Sequence, residues 1–174
     1  GHLVAIKMLL PALAARADVV ERFLREGRAA VQLRSEHVTR VTDVGVHQEP
    51  RGAADMPNGV PYLVMEYLDG TSLGGLTRQG SLQTHDAALY LIQACDALDE
   101  AHRLGIVHRD LKPDNLFLTQ RPNGAPLVKV LDFGISRVPF GDDERRLTGA
   151  ADVMGTPHYM APEQMETARN AEAR

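Results

Sequence analysis

Apolar and polar positions alternate along the chain in patterns that mark out short elements. Residues 3–10 are rich in branched apolar side chains and Pro11 closes the run, which predicts a strand. Alternation puts Ala5 and Lys7 on one face and Val4 and Ile6 on the other, so Lys7 is the one charge among apolar neighbours. Asp18, with Glu21 three residues on, reads as a helix start. Val19, Phe23, Glu26, Ala30 and Leu33 then recur at spacings of four and three as one helical stripe. Glu26 stands in that stripe, where a carboxylate facing the core needs a cationic partner.

Residues 41–46 suit a short strand, and 49–59, with Pro50, Gly52, Pro57 and Asn58, a loop. Residues 62–68 form a further apolar strand, and Asp69-Gly70 marks a turn and a candidate boundary between two lobes. A helix is expected over 86–103, with Leu91, Cys95, Leu98 and His102 as its apolar stripe and Gly105 as its cap. Residues 116–118 and 127–131 read as strands around a polar turn at 120–125. Residues 136–154 have weak periodicity, as expected of a mobile segment.

Composition narrows the class. The 174 residues suit one compact domain or two small lobes, and 44% apolar with 24% charged residues argues against wholesale disorder. A net charge of −4 without a dense basic cluster argues against a nucleic-acid partner. Cys95 is the single cysteine, which rules out an intramolecular disulfide and fits a reducing cytoplasm. There is no apolar run of membrane-spanning length and no signal-peptide pattern, so a cytoplasmic location is expected, with any membrane anchor outside these residues. Gly1 to Lys7 reads as mid-strand and the last residues lack a terminal cap, so both ends read as cut.

The chemistry is concentrated in His108-Arg109-Asp110-Leu111-Lys112-Pro113-Asp114-Asn115, followed by Asp132-Phe133-Gly134 and by Gly155-Thr156-Pro157-His158-Tyr159-Met160-Ala161-Pro162-Glu163. Val4-Ala5-Ile6-Lys7 precedes them. A lone Asp or Lys in a loop is usually only solvated, and a lone Lys–Glu pair is usually structural. Four ordered motifs reverse that balance. On these residues the chain resembles a eukaryotic-type serine/threonine protein kinase catalytic domain of the sort found in bacteria. The resemblance implies an α+β, bilobal fold, present in part. Residues 1–69 would form an incomplete N-terminal lobe with a strand, a helix and the hinge, and 70–174 the first part of a helical lower lobe.

Phosphoryl transfer needs in-line positioning and neutralisation of spread negative charge more than covalent help. The resemblance makes Asp110 the catalytic base that orients the hydroxyl, and Lys112 the point charge on the transferring phosphate that marks serine/threonine specificity. Asn115 and Asp132 become the magnesium (or manganese) ligands, offering the hard oxygens such ions prefer. Lys7 would hold the inner phosphates of ATP and Glu26 would fix Lys7 through an ion pair that signals the active state. Met65 resembles the gatekeeper, Glu66 to Leu68 the hinge whose backbone pairs with adenine, and Ala5 and Phe117 the covers of its two faces. His108 would pack against Phe133, and His102 reads as core or cap. Arg109 would pair with a phosphate on the segment 132–163, with Thr148 as the phosphorylated residue and Asp152 as a fixed-charge rival. Thr156 would contact Asp110 and Lys112.

Two departures stand beside the resemblance. No G-x-G-x-x-G occurs, so the phosphate lid is missing, and the helices that should follow Ala161-Pro162-Glu163 are missing too. These residues alone are therefore expected to be weakly active or inactive. The implied partners are a protein substrate with a Ser/Thr acceptor and, in self-association for autophosphorylation, a second copy; the implied role is signal transduction. Three other readings compete. A pseudokinase or ATP-binding scaffold need not keep Asp110 or Asp132, which are intact. A small-molecule phosphotransferase would not normally carry Lys112-Pro113 or the Ala161-Pro162-Glu163 closure. A non-functional gene fragment would show stop codons in its flanks.

Overall fold

The computed structural model describes residues 1–48, 59–133 and 159. Its first half is a three-stranded antiparallel sheet with β3 (Val60–Glu66) between β1 (Val4–Met8) and β2 (Val41–His47). Lys7 lies opposite Leu63 and Ala5 opposite Met65. Directly opposed residues share a face, so the half-buried Ala5 and Lys7 look inward while Val4, Ile6 and Met8 are exposed. The strand ends before Pro11, which opens a short helix, α1 (Pro11–Ala14), because the first helical position has no use for the N–H that proline lacks.

Helix α2 (Ala17–Ala30) buries Val19, Phe23, Gly27 and Ala30 against the sheet, and Leu33 is buried just beyond its end. The stripe expected from the sequence is therefore present, with Glu26 half-buried in it. The start differs from expectation. Asp18 does not cap the helix; it lies inside the first turn and takes the guanidinium of Arg16, the N-cap residue, at 3.1 Å. A carboxylate in that turn still favours the positive end of the helix dipole. Gly27 sets the distance between α2 and the sheet: a Cβ there would lie 2.5 Å from Leu63 Cδ2 and 3.2 Å from Val44 Cγ1.

The second half carries another three-stranded antiparallel sheet, in the order β4 (Thr71–Ser72), β5 (Leu116–Gln120), β6 (Pro126–Val130). Ser72 caps α3 (Leu73–Gln79), its Oγ accepting from the Gly75 N–H at 3.0 Å. Helix α4 (Thr84–Arg103) packs on β6. Its buried face is Tyr90, Gln93, Ala94, Ala97 and Ala101, and this corrects the expected stripe. Leu91 and Cys95 are exposed, Leu98 and His102 half-buried. Alanines bury little apolar area, but they let the helix axis come close to the strand, and close approach decided the face. Gly105 ends α4 as expected. It is left-handed (φ 72°), with its N–H on His102 O and the Ile106 N–H on Ala101 O, a Schellman closure.

Two apolar clusters result. One joins Leu9, Ala14, Val19, Phe23, Ala30, Val41 and Leu63; the other centres on Tyr90, Ala97, Leu116, Val128 and Val130. Leu33 and Val38, which follow α2, belong to the second. Their segment is bonded into it: the Val130 N–H reaches His37 O at 2.8 Å and the Thr39 N–H reaches Val130 O at 3.0 Å. The Glu100 carboxylate accepts from the N–H groups of Arg34 and Ser35 at 2.9 and 2.7 Å. Among the described residues, no helix is long and apolar enough to cross a membrane.

Candidate active site

The loop between α4 and β5 holds its own functional side chains in place. Asn115 donates Nδ2 to Asp110 O at 2.7 Å and to Asp110 Oδ2 at 3.1 Å. Lys112 Nζ stands 3.1 Å from the same Oδ2. Pro113–Asn115 form a 3-10 turn that brings Asn115 back towards Asp110, and the Leu131 N–H on Asn115 O at 2.9 Å ties that turn to the end of β6. Asp110, Lys112 and Asn115 are thus brought together as the motif required.

His108 is buried beneath them. Its Nδ1 accepts from the Asp110 N–H at 3.2 Å, so Nε2 carries the proton and donates to Leu131 O at 2.8 Å. Burial holds its pKa below the usual histidine value. A neutral imidazole with both nitrogens engaged is a brace, not a base. Its ring lies 5.0 Å from that of Phe133, tilted by 58°, the contact expected from the resemblance.

Across the cleft, Lys7 Nζ meets Asp132 Oδ1 at 2.6 Å. The resemblance assigns Lys7 to Glu26 instead. Among the described residues there is no Lys7–Glu26 ion pair; the ammonium is matched to the nearer carboxylate. Glu26 looks instead towards Arg22, Arg109 and Arg25, whose positive charges partly offset its burial, and burial raises its carboxyl pKa. Arg109 and Asp132 are the only non-glycine residues with positive φ among those described, at 64° and 58°. Such backbone is sparsely populated, most of all for a long side chain like Arg109, and it stands directly beside the two carboxylates of the site.

Ala5 and Met65 are paired across β1 and β3, while Phe117 lies in the other sheet opposite Lys129. Glu66 and Leu68 are half-buried at the connection between the sheets. Gly134, Thr148, Asp152, Thr156 and the 155–163 motif lie outside the described residues, Tyr159 excepted, and so does the loop 49–58.

Two participants escaped the sequence reading. Arg78 pairs with Asp114 at 2.9 Å, both exposed, and Gly74 leaves room for that carboxylate, since a Cβ would lie 2.5 Å from its Oδ1. Lys129 is buried and reaches Glu66 Oε1 at 2.6 Å. Its signal was present, as one charge in the apolar run Leu127-Val128-Lys129-Val130.

The donor set fits a divalent cation of the magnesium type. Among the described residues no three His, Cys, Asp or Glu side chains form a metal cage. Magnesium does not need one, because it is held by one or two protein oxygens beside phosphate oxygens and waters. The Lys7 pair uses Oδ1 of Asp132 and the Asp110 bonds use Nδ2 of Asn115, so Oδ2 of Asp132 and Oδ1 of Asn115 are the oxygens such an ion would take.

Comparison with known proteins places this geometry. The protein kinase domain model matches residues 1–173. The serine/threonine-protein kinase Pkn1 of Myxococcus xanthus is 43% identical over 164 residues, covering 94% of this chain and 22% of that protein. Serine/threonine-protein kinase PknB of Mycolicibacterium smegmatis is 39% identical, covering 92% of this chain and 24% of that protein. The chain therefore spans about a quarter or less of the length of these relatives. The crystal structure of the Mycobacterium tuberculosis PknI kinase domain superimposes with a TM-score of 0.64 at 31% identity, over 87% of this chain and 57% of that one. The chain belongs to the protein kinase domain family, among the bacterial serine/threonine kinases of eukaryotic type.

Proposed function

We propose that this domain transfers the γ-phosphoryl group of ATP to serine or threonine hydroxyls of a protein, with magnesium or manganese bound at Asn115 and Asp132. The observation that carries the reading is the shared hold on Asp110 Oδ2 by Asn115 and Lys112, with Lys7 and Asp132 paired across the cleft. Asp110 Oδ2 is aimed by two donors, so it can orient an incoming hydroxyl and take its proton as that oxygen bonds the γ-phosphorus and the bond from phosphorus to the bridging oxygen of the departing ADP breaks. Lys112 then stands within reach of the phosphoryl oxygens. Asn115 and Asp132 would hold the divalent ion, which would supply positive charge to offset that of the phosphates. Lys7 would exchange Asp132 for the inner phosphates when nucleotide enters, and a Lys7–Glu26 pair would mark the active arrangement.

The remaining assignments belong to the same proposal. Residues 1–69 and 70–174 act as two lobes, with Ala5 and Phe117 on either side of adenine and Met65, Glu66 and Leu68 along its edge. Arg109, Thr148 and Thr156 serve regulation and substrate choice. A second copy is the partner for autophosphorylation, and the setting is cytoplasmic signalling.

The test is transfer of radiolabelled γ-phosphate from ATP to protein by the kinase expressed from its whole gene, followed by acid hydrolysis. Label recovered as phosphoserine or phosphothreonine is the expected result. Label on tyrosine alone, or on no protein residue, contradicts the assignment.

A further inference from the structure

Outside the catalytic loop and the Lys7–Asp132 pair, the most deliberate polar arrangement is a buried lysine at the back of the hinge. Lys129 lies on β6 with its side chain 11% exposed, and its Nζ reaches Glu66 Oε1 at 2.6 Å and Val38 O at 3.4 Å. Glu66 Oε1 also accepts from the Arg40 N–H at 2.8 Å, and the Glu66 N–H donates to Arg40 O at 3.0 Å. The N–H and the carboxylate of Glu66 are therefore both fixed against β6 and the start of β2. A cation is seldom buried without such a partner, because its desolvation has to be offset.

Lys129 also stands at a junction. It is directly opposite Phe117 on β5, so the two share a face of the sheet. Asp132 follows three residues along the same chain segment. Lys129 thus fixes the hinge glutamate from a position opposite Phe117, on the strand that leads to the carboxylate paired with Lys7.

We propose that Lys129 is a positioning residue for the adenine end of the nucleotide, holding Glu66 so that the hinge backbone is preset for the base. The proposal rests on the ATP reading above and adds a residue that does not touch the phosphates. An interaction at the base is made equally in the ground and transition states, so its loss falls on nucleotide affinity and KM in preference to kcat.

Lys129→Met, Glu66→Gln and the double variant, made in the kinase expressed from its whole gene, are titrated with ADP by calorimetry and assayed for phosphate transfer across ATP concentrations. Each single change weakens ADP binding and raises KM for ATP about tenfold, the size expected when a charged hydrogen-bond partner is withdrawn. The double variant is no worse than the singles, because both remove one pair, and Lys129→Arg restores most of the affinity. A merely structural lysine would lower the melting temperature and the active fraction while leaving ADP affinity of the folded protein intact, and that result overturns the proposal. If Lys129→Met does not fold, the half-exposed Glu66→Gln decides alone, and unchanged ADP affinity there is fatal. A parent that binds ADP but transfers nothing sinks the kinase reading while the ADP titration still judges the hinge. A parent that does not bind ADP ends both.

Discussion

The two halves of the site are assembled in opposite ways. In the catalytic loop, Asp110, Lys112 and Asn115 are sequence neighbours whose mutual bonds span at most five residues, and His108 braces them from below. In the other half, the ion pairs join distant elements, Lys7 of β1 to Asp132 and Glu66 of β3 to Lys129 of β6, while Glu26 of α2 faces Arg22 and Arg25 of its own helix as well as the distant Arg109. A loop whose order is local keeps its geometry when the lobes shift. A half made of long-range pairs changes partners when they do. Asp132 and Arg109, both at positive φ, lie where the two halves meet. On the ATP reading proposed above, chemistry falls to the local half and nucleotide placement, with its control, to the distant one.

Removing the ammonium from the distant half should have the larger effect. Lys7→Met deletes the cation that meets Asp132 at 2.6 Å and that the ATP reading places on the inner phosphates. Phosphate transfer is expected to fall on the order of a hundredfold, as when a preorganised charge is withdrawn from a reacting phosphate. Steady-state assays should place part of that loss in ATP affinity; a loss confined to the acceptor's KM would break the comparison.

Glu26→Gln is the smaller and subtler change, because it separates stability from activity. Burial raises the Glu26 pKa above its ordinary 4.5. A carboxyl with a raised folded pKa favours the folded state below the unfolded value, and this stabilisation is lost as pH rises through the folded one. At neutral pH the ionised group therefore costs stability, and Gln removes the cost. The variant should melt higher than the parent at pH 7, with the difference vanishing below the ordinary glutamate range, while phosphate transfer falls because no Lys7–Glu26 pair can form. Thermal melts from pH 4 to 8 beside the transfer assay check both signs; a variant that melts lower at neutral pH refutes the electrostatic account of Glu26.

The same contrast explains what could be read from the sequence. Local order is written locally: the run from His108 to Asn115, the α2 stripe and the hairpin of β5 and β6 were all legible, because each depends on residues a few positions apart. Ion-pair partners were not. Glu26 and Asp132 both offer Lys7 a carboxylate, and only the placement of α2 and of the left-handed Asp132 chooses between them. The face of α4 failed for another reason. Leucine at 91 and cysteine at 95 outrank alanine in hydropathy, yet the buried positions include Ala94, Ala97 and Ala101 beside Tyr90 and Gln93, on the face that packs on β6. Lys129 carried the signal that singled out Lys7, one charge in an apolar strand, but its partner lies 63 positions away in the sequence, which local patterning does not reach.

On the proposed reading, Asp110 performs chemistry without being needed to hold the nucleotide. Asp110→Asn keeps the shape of the side chain and removes the base. In the kinase expressed from its whole gene, this variant should bind ATP with magnesium within about threefold of the parent, yet transfer phosphate at least roughly a hundredfold more slowly in a single turnover, the share a positioned general base contributes. Transfer at the parent's rate by Asp110→Asn would contradict the account.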